Sequence, residues 1–316
     1  MKTKILLLVV LTLALFACQT ENEDIFLEDS TSFKKIDKKS NGEGIVIDVN
    51  YIEDINNNLI SKGSNLRLST VEYITNGEDQ AVGQTIYSKI TGNKQLGHDF
   101  VPFDPRRVWS GPSDGDSDDI TYSITTHSIA SVPVLGGLTG AQTDEAIENA
   151  MTTWKDVKCS DMGLNRIDDG GQITGMIMGG SIIADIMHGG FYVNYAGGIL
   201  GVTHTFIFVD GSGPTDIDNN GKIDVAFREI YYDYNHTWST DGSAIDLESV
   251  AVHETGHGLS QAHFGSVAVL HPGTPKARLR VSPRAVMNAL YTGTYRDLGG
   301  SDNGGHCSNW AQWPNN

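Results

Sequence analysis

No cysteine lies between residues 19 and 117, and only three occur in the 316-residue chain, Cys18, Cys159 and Cys307. That stretch therefore offers no thiolate to a metal and no partner for a bridge. Basic residues are scarce too, 22 Lys and Arg against 39 acids, for a net charge of −17. That balance excludes a nucleic-acid partner, whose phosphates must be neutralised by basic side chains. It suits a soluble extracellular protein with an affinity for calcium. The apolar run at Ile5–Ala17 is too short for an ordinary spanning helix of about 20 residues.

What that run does fit is an export leader. Lys2 and Lys4 precede it, and it ends in Leu15-Phe16-Ala17-Cys18. The tetrapeptide resembles the lipobox of bacterial lipoproteins, in which the peptide is removed before a Cys that then carries lipid. The resemblance implies a signal peptide over 1–17, lipidation at Cys18, and an outer-membrane or cell-surface protein that meets the membrane only through that lipid. An ordinary secretory leader with an incidental Cys is the other reading.

Residues 18–60 are polar, with few aromatics. Lys34-Lys35, Lys38-Lys39 and Asn56-Asn57-Asn58 interrupt any apolar period, so this stretch reads as anchor and loose tether. Short apolar runs alternate with Gly, Asn and Asp over 61–117, as in an N-terminal extension or propeptide. Ser110-Gly111-Pro112-Ser113-Asp114-Gly115-Asp116-Ser117-Asp118-Asp119 marks a boundary. Residues 118–316 form the expected functional domain. There Ala146, Ile147, Ala150, Met151, Trp154 and Val157 recur at helical spacing. Runs at 181–187, 204–209 and 225–232 are rich in Ile, Val, Phe and Tyr and read as strands, giving an α+β class with a mixed sheet.

One segment carries chemistry: His253-Glu254-Thr255-Gly256-His257, with His263 six residues on. Residues four apart share a helix face, so His253 and His257 reach one ion, and His263 completes the set after a turn. Three neutral imidazoles leave a fourth zinc position for water, whose pKa falls from about 15.7 to roughly 7 in favourable sites. Glu254 is placed to act as general base. Ser243 and Asp246 mark the expected helix start in capping-box fashion, and Gly256 and Gly258 each cost about 1 kcal/mol relative to Ala.

This segment resembles the metzincin metallopeptidase pattern H-E-x-x-H-x-x-G-x-x-H, and Ser282-Pro283-Arg284-Ala285-Val286-Met287 resembles the Met-turn of its matrixin branch. Ile120–Ile124 and Ala146–Trp154 are similar to that family's first strand and first helix. The likeness implies a metzincin-like domain over 118–316 with a twisted mixed sheet, a zinc-binding helix and Met287 packed beneath the ligands. It implies an endopeptidase acting as a monomer on extracellular proteins, with Gly198–Thr203 as an edge strand that pairs with extended substrate. Three departures stand out: Ser260 replaces the family's Gly, 24 positions separate His263 from Met287, and Ala289 stands where some branches have Tyr. Matrixins are often latent through a propeptide Cys, which is absent here; an Asp of the acidic boundary is a substitute. The family's second, structural zinc is not expected, because Val202 stands where a His ligand belongs; His188 and His204 read as ordinary strand-end residues.

Asp216, Asp218, Asn220, Lys222 (through its carbonyl) and Asp224 follow the first nine positions of a calcium loop, with Gly221 at the sixth, although the twelfth is Phe227. A solvated Asp/Asn turn is the plainer reading. Cys159 and Cys307 are either a bridge, as export permits, or two separate thiols, since sequence does not reveal whether their Cα atoms come within reach. A rival to the zinc endopeptidase is a surface adhesion or binding lipoprotein that retains the fold without proteolysis.

Overall fold

The computed structural model describes residues 44–87, 96–108, 119–125, 137–193 and 195–315, all within one unit. The leader, Cys18 and the acidic boundary at 110–118 lie outside them. The chain runs α1 (Val49–Ser61), β1 (Leu66–Thr75), β2 (Gln84–Tyr87), β3 (His98–Asp99), β4 (Ile120–Ile124), α2 (Gly140–Lys155), β5 (Leu164–Arg166), β6 (Ile186–Val193), β7 (Ile199–Asp210), β8 (Gly213–Pro214) and β9 (Ile223–Asp233). It continues through β10 (Trp238–Ser239), β11 (Ile245–Asp246), α3 (Leu247–Gly258), β12 (Ser266–Leu270), β13 (Arg278–Ser282) and α4 (Gly300–Trp310).

The main sheet is mixed and runs β2-β1-β7-β9-β6-β4-β5, so the class is α+β. From β9 to β5 neighbours are parallel, whereas β7 is antiparallel to both of its neighbours. β7 and β9 are buried along nearly their whole length, and central strands covered on both faces read as continuous apolar runs. One face carries α2 and α3 around Trp154, Ile147, Ile230 and Tyr232. The other packs Leu68, Val71, Tyr73, Phe206 and Phe227 beneath α1 and the 176–183 segment.

The first helix overturns the reading of 18–60 as tether throughout. Asp48 caps it by accepting from the Tyr51 amide, and Ile52 and Leu59, seven apart, bury one face. The Asn triplet does not stop it, because the Asn56 side chain bonds both the amide and the carbonyl of Leu68 and fastens the helix to β1. Residues 61–117 are also not a separate appendage where they are described. β1 and β3 belong to the main sheet, and Arg107 forms a fully buried ion pair with Asp185 at 2.7 Å.

The expected edge strand is not at an edge. β1 pairs along β7 from Thr75 opposite Ile199 to Leu66 opposite Phe208, and β2 lies outside it. Two other expectations shift. The 181–187 strand begins only at Ile186, its earlier part being a loop with one bridge between Thr174 and Ser181. His188 and His204 sit inside strands rather than at their ends, bonded to the hydroxyls of Tyr232 and Tyr51, and burial drives both pKa values down to about 3.

α2 starts with a Thr139–Gln142 capping box and buries the predicted apolar stripe. Past its end, Cys159 is bridged to Cys307 in α4, Cα to Cα 5.7 Å, across 148 positions. Closing so long a loop restricts the unfolded chain by about 4 to 5 kcal/mol in the entropy model. Replacing Cys159 by Ser should accordingly lower the free energy of unfolding by about 2 to 5 kcal/mol, read from urea denaturation, and a reductant should have no further effect on that variant.

Glu229 in β9 is wholly buried; its carboxylate accepts from the amides of Met176 and Ile177 and from the Tyr231 hydroxyl. Desolvation nevertheless outweighs these bonds and pushes its pKa up to about 7. Because the folded value exceeds the unfolded one, the folded state holds the proton more tightly, and stability falls as pH rises from about 4.5 through 7. Against Glu229→Gln, which cannot ionise, the wild type should lose up to about 3 kcal/mol between pH 4.5 and pH 8 in paired denaturation curves. Parallel curves would show that this carboxyl does not titrate on folding.

Candidate metal centre

α3 begins one turn later than the sequence suggests. Its N-cap is Asp246, not Ser243: the Asp246 carboxylate accepts from the Ser249 amide and pairs with Arg296 at 2.6 Å. Every residue of α3 but Glu248 is buried. Two indoles hold it from outside, Trp154 donating to the Val252 carbonyl at 2.7 Å and Trp310 to the Leu259 carbonyl at 2.8 Å.

The glycine at 256 is a steric requirement. A Cβ there would collide with Met287 Sδ and come within 2.8 Å of Trp154 Cζ2. No such demand is made at Gly258, whose nearest neighbours are 3.4 Å away.

The turn to His263 passes through Ser260, which adopts φ 66°, the left-handed conformation the family's Gly would take at less cost. Two features hold it there. The Gln261 amide bonds the Gly256 carbonyl at 2.9 Å, and the buried Arg228 guanidinium donates to the Gly258 carbonyl at 2.6 Å and to Ser260 Oγ at 3.0 Å.

The long interval before Met287 is spent on an exposed hairpin, β12 with β13. Its ends are drawn together, since the Phe264 amide bonds the Met287 carbonyl at 2.7 Å and the Asn288 amide group the Phe264 carbonyl at 2.8 Å. Met287 is therefore delivered beneath α3 whatever the hairpin's length. The turn itself is held by Asp302 of α4, whose oxygens accept from the amides of Val286 and Met287 at 3.0 and 3.1 Å.

The three imidazoles meet. Nε2 of His257 lies 3.1 Å from Nε2 of both His253 and His263. His253 Nδ1 faces the Val286 carbonyl at 2.7 Å and His257 Nδ1 the Gln261 carbonyl at 2.8 Å. A carbonyl only accepts, so both Nδ1 atoms carry hydrogen and both Nε2 atoms turn lone pairs inward. Burial holds His253 at about 4 and drives His257 and His263 well below the usual range, keeping all three neutral. Inward lone pairs on His253 and His257, with the neutral His263 ring beside them, fit a cation, and tetrahedral zinc at about 2.0–2.1 Å from each nitrogen spaces its ligands comparably.

Glu254 is fully buried beside them. Thr203 Oγ1 of β7 donates to Oε2 at 2.6 Å, while no hydrogen-bond donor reaches Oε1. Desolvation, abetted by the neighbouring charge of Glu72, raises its pKa well above the usual carboxylate range. Gly201 leaves room for it, as a Cβ there would lie 2.8 Å from Glu254 Cγ. Sequence reasoning missed Thr203, Arg228 and Asp302. Only Asp302 left a local signal, the Gly-x-x-Asp start of α4.

The calcium loop is assembled only in part. Carboxylate oxygens of Asp216, Asp218 and Asp224 lie within 4.8 Å of one another. Asp224, however, is engaged by Arg106 at 2.6 Å and by Thr215 Oγ1 at 2.6 Å. Asn220 turns its amide nitrogen toward Asp99 and Asp218, and the Lys222 ammonium reaches Asp99 at 3.1 Å. Arg106 thus already engages one of the three carboxylates and the Asn220 carbonyl oxygen accepts from the Lys222 amide, so the donor set fits calcium only in part.

A scan against protein-family models finds no match, and a search of curated proteins finds no relative.

The Ser260 turn yields a test. Ser260→Ala keeps the left-handed strain and loses the bond to Arg228, so it should cost about 1 to 2 kcal/mol. Ser260→Gly trades that bond for relief of strain and should stay within about 0.5 kcal/mol of wild type. Urea denaturation of both variants reads the difference, and equal losses would mean the strain is negligible.

Proposed function

We propose that the protein is a zinc-dependent endopeptidase of metzincin-like, matrixin-branch design that hydrolyses peptide bonds of extracellular proteins. The observation that carries this reading is the convergence of three neutral imidazoles, each Nε2 free of hydrogen at His253 and His257, beside a buried carboxylate that Thr203 orients. His253, His257 and His263 would hold the zinc. When bound, zinc supplies Lewis acidity that activates water and polarises a carbonyl.

The protein's own groups do the rest. Glu254 takes a proton during attack and returns it to the leaving amine. Thr203 holds one of its oxygens in place. Met287, wedged against Gly256, keeps α3 from shifting beneath the ligands, and Asp302 keeps Met287 in place. The leader and Cys18 support an exported, lipid-anchored protein at the cell surface. Calcium is left with the weaker claim, at Asp216 and Asp218.

The rival reading, a binding lipoprotein without proteolysis, draws on the complete burial of Glu254. One experiment separates the two: casein hydrolysis with and without a chelator, before and after limited proteolysis of the purified protein. Glu254→Ala should keep one zinc per chain by elemental analysis and lose about 10²- to 10⁴-fold in rate. Equal rates for wild type and variant would overturn the assignment of Glu254, and chelator-insensitive hydrolysis would overturn the metal.

A further inference from the structure

For Glu254 to act on a peptide, the peptide backbone must pass beside Gly201 and Thr203, the β7 residues that flank its carboxylate. That lane is filled. Ile74 of β1 stands opposite Gly201 and Glu72 opposite Thr203, and the Ile74 backbone lies against the Glu254 carboxylate. The far side of the lane is closed by the chain after Met287. Thr75 bridges Leu290 in parallel, the Tyr291 amide bonds the Thr75 carbonyl at 2.9 Å, and the Gly83 amide bonds the Ala289 carbonyl at 2.7 Å. β1 is thus gripped on both sides across the acid that the chemistry requires.

Among its apolar core side chains β1 also turns Glu72 inward with 0% exposure, and only the Thr70 hydroxyl, its own amide and the more distant Arg228 charge are there to offset the burial. Burying an acid that has no ion-pair partner, beside a second buried acid, Glu254, is costly. The attachments of the flanking segments differ as well. Residues 96–108 are locked to the sheet by Arg107–Asp185 and by Arg106–Asp224, whereas the described ties of 44–87 are strand pairing, apolar packing, neutral hydrogen bonds such as Tyr51 to His204, and the longer-range attraction of Glu72 to Arg228.

We propose that β1 is an internal occupant of the peptide groove: Leu66–Thr75 lies where an extended substrate would pair antiparallel with β7, and the protein is latent until the 44–87 segment leaves. The ligand class of the groove is accordingly an extended peptide recognised through its backbone, as in strand addition to a sheet edge. This rests on the peptidase reading above. The acid that seals the site would then be a backbone-paired strand bearing Glu72, not an Asp from the boundary at 110–118.

The test uses the zinc-loaded full chain with a site-specific protease sequence inserted after Tyr87, before and after nicking, so that both pieces remain present. Two readouts are taken: casein hydrolysis, and anisotropy of a fluorescein-labelled peptide of the Leu66–Thr75 sequence added in excess. Nicking should raise hydrolysis at least tenfold and allow the labelled peptide to bind, while the intact chain does neither. Binding of the peptide only after nicking, with no hydrolysis in either form, would uphold the occupant and sink the peptidase reading. Equal hydrolysis in intact and nicked chains would do the reverse. If neither form binds the peptide and hydrolysis does not rise, β1 is a permanent strand and the proposal falls.

Discussion

Arg228 brings a positive charge into the interior, and the geometry of the three histidines depends on how that charge is used. Burial lowers its pKa to about 10, so it stays charged at neutral pH. Among the described residues no carboxylate comes within ion-pair distance; Glu72 and Asp99 act only through the field. Its hydrogens go to the Gly258 carbonyl, Ser260 Oγ and Thr205 Oγ1. A helix end has orphan carbonyls that must find donors, and here the donor is a guanidinium from the central strand of the sheet. The same bonds stabilise a serine in a conformation that favours glycine. The sheet and the turn that carries His263 are thereby tied together through Gly258 and Ser260.

The other supports are arranged in the same way, each from a different part of the chain. Trp154 reaches α3 from α2, Trp310 and Asp302 come from α4, and Thr203 from β7. The disulfide joins the end of α2 to α4, so two of these supports share a covalent tie. The tautomers of His253 and His257 are set by backbone carbonyls, so the scaffold itself orients these two rings.

What the sequence disclosed follows from the range over which each signal acts. The spacing of His253 and His257 and the stripe 146–154 are local periodicities, and the structure assembles them as helix faces, with His263 brought in by the turn after α3. The α+β class followed from the same windows. The pairing of β1 with β7 joins residues about 130 positions apart and left no mark in any window, so Gly198–Thr203 read as an edge. The Asn triplet misled because Asn56 looks like a breaker yet finds both partners on Leu68, a tertiary contact. Ser260 read as a weak turn for want of glycine, since its stabiliser, Arg228, is 32 positions distant. The helix start slipped from Ser243 to Asp246 because both are good caps, and Arg296, far along the chain, favours the latter.

Gly256 has a further consequence, one that concerns variation rather than stability. Its missing side chain is the space occupied by Met287 and Trp154, so the three positions share one fixed volume. They cannot drift independently. Among related chains a larger residue at 256 is admissible only with a smaller one at 287 or 154, and a lineage that keeps the histidines would keep this triple or exchange it as a set.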